Sequence, residues 1–177
     1  MIAFRRSDAA TVNDLLARWG HYLGPQRGPR MVLWYVLLLE GEPVSVAVSA
    51  SPRGATCAGR PWEEVVELAR LCSAPEHADM TRVALRCWRK LAAQDWADRY
   101  NKRVTLLAAY SDSARHPGNI YRFDGWTLYD ERVRGSGGST KGRKPQTVSR
   151  KRLWIWPVDP PAEPRLRQLS IAVHCGG

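Results

Sequence analysis

The sequence has no apolar segment long enough to cross a membrane as a helix. Its longest apolar run, MVLWYVLLL, is far shorter than the roughly 20 residues that a bilayer requires. The N-terminal segment MIAFRRSD also has no apolar core of the kind found in secretory signals. We therefore expect a cytoplasmic protein without a membrane partner.

The cysteines do not follow the spacing of a metal site or of a disulfide framework. Cys57, Cys72, Cys87 and Cys175 form no C-x-x-C pair and have no accompanying pair of histidines. We interpret them as reduced, mostly buried thiols. No metal ligand is predicted, although the residues leave open whether a metal such as iron takes part.

Acidic residues are few compared with basic ones. The chain has 17 Asp and Glu against 27 Lys and Arg, which gives a net charge of +10 and a pI near 10.0. Such an excess indicates a polyanionic partner or an anionic membrane surface, and of these we expect nucleic acid. The charges predicted to contact phosphates lie in and beside a flexible basic loop at about 134–150: Lys141, Arg143, Lys144, Arg150, Lys151 and Arg152.

The 177 residues, 44% of them hydrophobic, suit a single domain over 1–177 with a Pro-rich extension at about 157–177. Helical spacing of Val12, Leu15, Leu16 and Trp19 predicts a first helix, with Ser7 as its N-cap. MVLWYVLLL and VSVAVSA predict an antiparallel hairpin, and RVTLLAAY, GWTLYDERV and RLWIWPV predict further strands. This order indicates an α+β fold with a mixed sheet.

A second helix is predicted to begin after Asp79, with the Asp79 side chain as its N-cap. Its apolar stripe consists of Ala84, Cys87, Trp88, Leu91, Ala92 and Trp96. The preceding segment, PWEEVVELARLCSAP, is ambiguous, because Pro61, Glu63 and Glu64 favour a helix start while VVELARL alternates as a strand does.

The segment IYRFDGW resembles the lYxxxGF signature of the GNAT acyltransferase superfamily. A larger pattern resembles the Mom-type DNA-modification proteins of phages: ELARL at 67–71, YSD at 110–112 and HPGNIYRFDGW at 116–126. The resemblance spans roughly residues 30–130. It implies a mostly antiparallel sheet in which VVELARL is a strand that splays from its parallel neighbour RVTLLAAY.

The resemblance also implies a function and a set of catalytic residues. Mom-type proteins change the exocyclic N6 amine of adenine to a methylcarbamoyl form, which protects phage DNA from host restriction. Tyr121 matches the residue that protonates the leaving thiolate of coenzyme A, and Asp112 lies where it could accept a hydrogen bond from the amine. Arg70 matches a position that binds substrate or phosphate, with an ion pair to Glu67 or Glu64 as the alternative.

Two further residues belong to the predicted site, each with a structural alternative. His116 could relay a proton or stabilise the turn before Pro117, and Ser111 is expected to be a hydrogen-bonding partner rather than a nucleophile. Asp112 could likewise act only as a turn cap. Trp34, Tyr35 and Trp126 are candidates for stacking on an extruded base.

The resemblance implies double-stranded DNA as the partner and acetyl-CoA as the cosubstrate. The predicted contacts of acetyl-CoA lie at the end of VVELARLCS and at the following helix start: Leu71, Cys72, Ser73, Ala78, Asp79 and Met80. The glycine-rich pyrophosphate loop of the superfamily is missing, and SAPEHADMT stands in its place, with Glu76 and Asp79 opposing a phosphate.

Two other classes of function fit the sequence. One is a GNAT enzyme that acts on another amine, such as an aminated thymine in hypermodified DNA, a small molecule or a protein lysine. The other is a basic DNA-binding module without catalysis. The sequence does not determine the oligomeric state, and a homodimer is one option.

Overall fold

The computed structural model describes residues 1–27, 31–134 and 150–165. The strands are β1 (Ile2–Ser7), β2 (Val32–Leu39), β3 (Glu42–Ala50), β4 (Thr56–Cys57), β5 (Arg60–Pro61), β6 (Val65–Ser73), β7 (Val104–Asp112), β8 (Thr127–Arg134) and β9 (Arg150–Ala162). The helices are α1 (Ala9–Arg18), α2 (Met80–Tyr100) and α3 (Asn119–Phe123), and short 3-10 turns occupy Trp62–Glu64 and Pro75–His77. No helix in these ranges is both long and apolar enough to span a membrane.

Seven strands form one sheet in the order β1-β2-β3-β6-β7-β9-β8, and β4 and β5 form a separate small hairpin. Every neighbouring pair in the sheet is antiparallel except β6 and β7, which are parallel. The α+β prediction with one parallel pair is therefore confirmed. Strand β1 was not predicted, because IAFRRS has little apolar alternation and becomes a strand by pairing with β2.

The ambiguous segment is a strand, as the family resemblance implied. Its helix-like start contributes only the 3-10 turn at Trp62–Glu64, after which β6 pairs with β3 on one side and β7 on the other. Pairing on both edges, with Val65, Val66 and Leu68 buried, outweighs the local helix preference.

The helices cover opposite faces of the sheet. Val12, Leu15 and Leu16 of α1 pack on one set of alternating residues of β2 and β3, such as Val36 and Val48. The other set packs on α2, in a larger core that also holds α3: Leu33, Tyr35, Ala47, Leu68, Trp88, Trp96 and Tyr121 are among its members.

Two predicted details of the helices are wrong. Ser7 ends β1, and Asp8 is the N-cap of α1, since its carboxylate accepts the Thr11 N–H at 2.8 Å. Asp79 precedes α2 but makes no capping hydrogen bond with its side chain.

The buried face of α2 also differs from the predicted stripe. Leu91 is 43% exposed, whereas Leu85, Ala93 and Ala97 are buried. The helix lies on a sheet rather than on a narrow groove, so its buried face is broad, and small alanines let it approach the strands closely.

Asp124 joins α2 to the end of α3. Its side chain is 5% exposed and accepts hydrogen bonds from Arg86 Nε at 3.1 Å, Arg89 Nε at 2.9 Å and Trp126 Nε1 at 3.1 Å. The Arg89 guanidinium also lies 3.9 Å from the centre of the Trp156 ring. Arg86 and Arg89 of α2 therefore have a structural role, which is to fix the helix that carries Tyr121.

Replacing Asp124 with alanine should lower the free energy of unfolding by about 3 kcal/mol, because Arg89, which is 19% exposed, and the Trp126 N–H are then deprived of a nearly buried acceptor. Urea denaturation measures this change. Glu131→Ala, at an exposed position of β8, is the control and should stay within about 0.5 kcal/mol of the parent. Equal effects of the two substitutions would contradict the structural role of Asp124.

Candidate active site

The parallel strands β6 and β7 part halfway along their length. They pair from Val65 with Leu106 to Leu68 with Ala109, and no register partner joins them beyond that point. β6 continues to Ser73 paired with β3, and β7 continues to Asp112 paired with β9. The two strands therefore bound a slot that opens towards their carboxyl ends.

A β-bulge in β6 lies where the strands part. Val48 and Ser49 of β3 face Arg70 and Leu68, so Ala69 is an extra residue. Leu68 faces α2 with Ser49, whereas Arg70 faces α1 with Val48. Without the bulge, Arg70 would lie on the same face as Leu68, two residues earlier.

Arg70 attaches the loop after α1 to the edge of the slot. Its Nε donates to the Gly24 carbonyl at 3.0 Å, and its Nη1 donates to the Ala69 carbonyl at 2.7 Å. The predicted substrate-binding position thus holds the residues that follow α1 beside the point where β6 and β7 separate.

Tyr121 lies on the α2 side of the slot, on the short helix α3. It is 8% exposed, packs edge-on against Trp126 at 5.5 Å between ring centres and stacks on Trp154 at 5.9 Å. Burial raises the pKa of Tyr121 well above its usual value, and Tyr22 contributes to the increase. The phenol therefore holds its proton at neutral pH, as a proton donor must.

Ser111 and Gly118 keep Trp154 against Tyr121. The buried Ser111 Oγ accepts a hydrogen bond from Trp154 Nε1 at 2.9 Å. Gly118, just before α3, has a φ of +83°, and a Cβ there would lie 2.5 Å from the Trp154 ring. The close approach requires glycine at this position.

Asp112 ends β7 on the opposite face from Ser111. It is 7% exposed and accepts the Ala114 N–H at 3.0 Å, which is the turn-cap contact proposed as its structural alternative. Its second oxygen lies 3.9 Å from Arg115 Nε. The bond to Ala114 supports the turn-cap role of this carboxylate.

His116 is exposed at the following turn. Its backbone N–H donates to the Asp112 carbonyl at 2.7 Å, and its ring lies 6.2 Å from the Tyr22 ring. The backbone bond supports the turn interpretation, while the imidazole remains on the Asp112 side of the sheet.

Sequence reasoning did not predict His21 and Tyr22, which follow α1, as part of the site. Burial, and then the charges of Arg70 and His116, lower the pKa of His21. Tyr22 lies beside Arg115 and His116. The only sequence signal for their role was a His-Tyr pair in a Gly- and Pro-rich segment. The position of this segment depends on the hydrogen bond from Arg70 to Gly24.

The three aromatic residues predicted to stack on a base belong to the interior instead. Tyr35 is fully buried and stacked on Phe4, and Trp126 is buried between Trp88 and Tyr121. Trp34 is partly buried in the core beneath α1. On the Asp112 side, Tyr22 offers an aromatic side chain that is 39% exposed.

The residues predicted to contact acetyl-CoA form two adjacent groups. Leu71, Cys72 and Ser73 end β6, and Ala78, Asp79 and Met80 lead into α2. A hydrogen bond of 2.8 Å between Ser73 Oγ and Thr81 Oγ1 joins the groups. The Asp79 and Glu76 side chains are exposed, so negative charge lies at the start of α2.

The first residues of β9 bring positive charge to the same end of the sheet. In the register, Lys151 lies opposite Asp112 and Arg152 opposite Ser111. Arg152 Nη1 donates to the Pro117 carbonyl at 2.8 Å, and Arg150 is exposed. Lys141, Arg143 and Lys144 lie outside the described residues.

The cysteines and the acidic residues give no metal-binding arrangement in the described ranges, where no three His, Cys, Asp or Glu side chains converge. Cys57 is buried, Cys72 and Cys87 are partly buried, and burial raises the pKa of all three thiols. Cys175 lies outside the described residues.

No family model and no curated protein matches the chain. Among solved structures, it is similar to yncA, a putative acetyltransferase from Salmonella typhimurium solved with acetyl-CoA, at 14% identity over 94% of this chain and 99% of that one (TM-score 0.58). It is also similar to the N-acetyltransferase PseH from Campylobacter jejuni, at 13% identity over 88% and 97% of the two chains (TM-score 0.53).

A third similar structure is the ribosomal-protein-S18-alanine N-acetyltransferase from Escherichia coli, at 14% identity over 96% of this chain and 99% of that one (TM-score 0.52). The fold is therefore that of the GNAT acetyltransferases, as the lYxxxGF-like segment implied. At these identities the similarity concerns the fold and not the substrate.

His21 should make the stability of the protein sensitive to acid. Burial, then Arg70 and His116, lower the pKa of His21 from 6.5 to about 4. As the pH falls through that window, the unfolded chain binds a proton that the folded chain does not, so stability decreases. Between about pH 7 and pH 4.5, the parent should lose about 1–2 kcal/mol more unfolding free energy than His21→Gln.

Chemical denaturation at a series of pH values measures this difference. The same substitution at His77, on the turn before α2, is the matched control and should leave the parent's pH dependence in place. Parallel pH profiles for the parent and His21→Gln would show that His21 is not kept neutral by the fold.

Proposed function

We propose that the protein is an acetyl-CoA-dependent N-acyltransferase. The observation that carries this proposal is the slot between β6 and β7, with Tyr121 on one face of the sheet and Asp112 on the other. An acyl thioester in the slot would have a proton donor on one side and a carboxylate for the amine on the other. The presence of acetyl-CoA in the Salmonella typhimurium structure supports acetyl-CoA as the donor.

The transfer requires two proton movements at named groups. As the new N–C bond forms, the acceptor nitrogen gives up a proton, and Asp112 orients the amine or accepts that proton. As the C–S bond breaks, Tyr121 gives its proton to the thiolate. A phenol is protonated over the physiological range, so this proton is present when the thiolate forms.

The end of β6 and the start of α2 would hold the coenzyme, through the backbone of Leu71–Ser73 and the N–H groups at Ala78–Met80. Without a glycine-rich loop and with Glu76 and Asp79 exposed there, the contacts to the pyrophosphate would be fewer and less favourable than in relatives with that loop. We therefore expect modest affinity for acetyl-CoA.

We further propose that the acceptor is the exocyclic N6 amine of adenine in DNA and that the modification protects phage DNA from restriction. The ELARL, YSD and HPGNIYRFDGW motifs support this assignment, as does the positive charge at this end of the sheet, where Lys151 lies opposite Asp112 and is flanked in the chain by Arg150 and Arg152. Reaching this amine requires extrusion of the base, at a cost of a few kcal/mol, which phosphate contacts can offset.

A second candidate is transfer to a different amine. The Escherichia coli structure is named for an alanine of a ribosomal protein, so the same fold serves a peptide amine in that protein. An aminated thymine, a small molecule or a protein lysine therefore stays a candidate acceptor. Mass spectrometry of nucleosides from host DNA after expression distinguishes these acceptors from adenine. A module that binds DNA without catalysis would leave every nucleoside unchanged and bind no acetyl-CoA.

Tyr121→Phe should lower kcat for acyl transfer about 10²–10⁴-fold, because it removes the proton donor and keeps the ring that packs on Trp154. Affinity for acetyl-CoA should change little. Steady-state transfer to an adenine-containing duplex, together with coenzyme titration, measures both quantities. Tyr129→Phe, at an exposed position of β8, is the matched control and should retain the parental rate.

A near-parental rate for Tyr121→Phe would exclude its acid role.

Asp112→Asn tests the other face of the sheet: a folded variant that leaves host DNA sensitive to restriction supports the catalytic assignment. Unfolding of this variant would instead favour the turn-cap role seen in the bond to Ala114.

Neutralising Lys141, Arg143 and Lys144 should flatten the salt dependence of DNA binding, by about one unit of log–log slope for each phosphate that the variant no longer neutralises. Sequence preference should not change, because phosphate contacts carry no base information. Binding to a duplex at several salt concentrations measures the slope.

The matched control removes the same number of charges from the edge strand β1 and from α1: Arg5, Arg6 and Arg18. Its slope should remain that of the parent. An unchanged slope after neutralising the loop would mean that the loop is only a linker.

A further inference from the structure

Arg115 bridges the two groups that would receive an acceptor on the Asp112 side of the sheet. Its Nε lies 3.9 Å from Asp112 Oδ2, and its Cζ lies 5.1 Å from the centre of the Tyr22 ring. The Arg115 side chain is 60% exposed, whereas that of Asp112 is 9% exposed. The ion pair with Asp112 and the cation–π contact with Tyr22 are both long, and the Arg115 side chain is mostly exposed to solvent. The two contacts therefore hold Arg115 weakly.

Tyr22 presents an aromatic surface beside this carboxylate. It is 39% exposed, although the rings of His21 and His116 lie 5.1 Å and 6.2 Å from its own. Burial raises the pKa of Tyr22, and Asp112 raises it further, so the phenol and the carboxylate are close enough to interact.

A guanidinium and an aromatic amine make the same kinds of contact. Each is planar, stacks on an aromatic face and points N–H donors outward in its own plane. Adenine in particular carries an exocyclic amine at the edge of a flat ring. A carboxylate beside an exposed tyrosine can therefore hold either group, and a neutral ring is less strongly hydrated than a guanidinium.

We propose that Tyr22 and Asp112 form the acceptor subsite, that Arg115 occupies it in this structure, and that a planar aromatic amine displaces Arg115 on binding. The acceptor ring stacks on Tyr22 and its amine donates to Asp112. This inference rests on the proposed function and adds the class of acceptor and the residue that selects it.

The displaced side chain has a second place to bind when the acceptor is part of DNA. Arg115 follows Asp112, which lies opposite Lys151 in the sheet, and Arg150 is the neighbour of Lys151 on β9. Once it leaves Asp112, the guanidinium joins these charges and can contact a phosphate next to the extruded base. Arg115 therefore competes with a free base and assists a base within DNA.

This dual role predicts opposite effects of Arg115→Ala on two probes. The full chain should bind 9-methyladenine roughly threefold to tenfold more tightly, because an exposed cation–π contact and an exposed ion pair no longer compete. It should bind duplex DNA more weakly, with a salt slope reduced by about 1. Equilibrium dialysis with excess coenzyme A, which covers any adenine site for the coenzyme, measures binding of the base.

Matched variants assign each contact. Arg122→Ala, at an exposed position of α3, removes the same charge and should leave 9-methyladenine binding unchanged. Tyr22→Leu should weaken binding of the base, and Tyr22→Phe should retain it. 9-Methylpurine has no exocyclic amine, so it should bind more weakly than 9-methyladenine to the parent.

The inference is overturned if Arg115→Ala binds 9-methyladenine no more tightly than the parent does, or if Arg122→Ala gains equally. A decrease in thermal stability without a gain in affinity would show that Arg115 has only a structural role. Because base binding needs no turnover, a positive result together with no acyl transfer would retain the subsite and reject the proposed function. Acyl transfer by the parent, with no gain in 9-methyladenine affinity for Arg115→Ala, would retain the proposed function and reject the subsite.

Discussion

The separation of β6 and β7 after Leu68 and Ala109 is the constraint on which the rest of the site depends. Two parallel strands normally continue to share hydrogen bonds, but here each strand keeps its outer partner and separates from the inner one. The bulge at Ala69 lies at this point and turns Arg70 towards α1. The extra residue Ala69 thus lies where the slot begins. By turning Arg70, it also allows the bond that fixes the loop beside the slot.

Tyr121, the proposed proton donor, is held in place by a buried polar contact and by aromatic packing on the α2 face of the sheet. Asp124 connects α3 to the arginines of α2, while Ser111 orients Trp154 against Tyr121. These contacts leave the short helix α3, which has only five residues, with little freedom. A helix of this length is positioned by its tertiary contacts, and so the location of Tyr121 reflects the whole α2 side of the core.

The two faces of the sheet have different electrostatic characters. The Tyr121 face is aromatic and buried, and this burial raises the pKa of the phenol. The Asp112 face is partly exposed and carries histidine, arginine and carboxylate groups together. In the proposed reaction, a thioester in the slot would lie between the two faces, and leaving-group protonation and amine recognition would take place on opposite sides of one sheet.

The sequence by itself determined the α+β class, the β2–β3 hairpin, the position of α2 and the Tyr121 segment, because strong apolar periodicity and turn residues are local signals. Residues alone left VVELARL ambiguous, and they indicated neither β1 nor the approach of His21 and Tyr22 to Asp112. Those features depend on pairing at strand edges, on the Ala69 bulge and on the bond from Arg70 to Gly24. Contacts between residues far apart in the chain exist only once the sheet has formed, so only the tertiary structure could decide them.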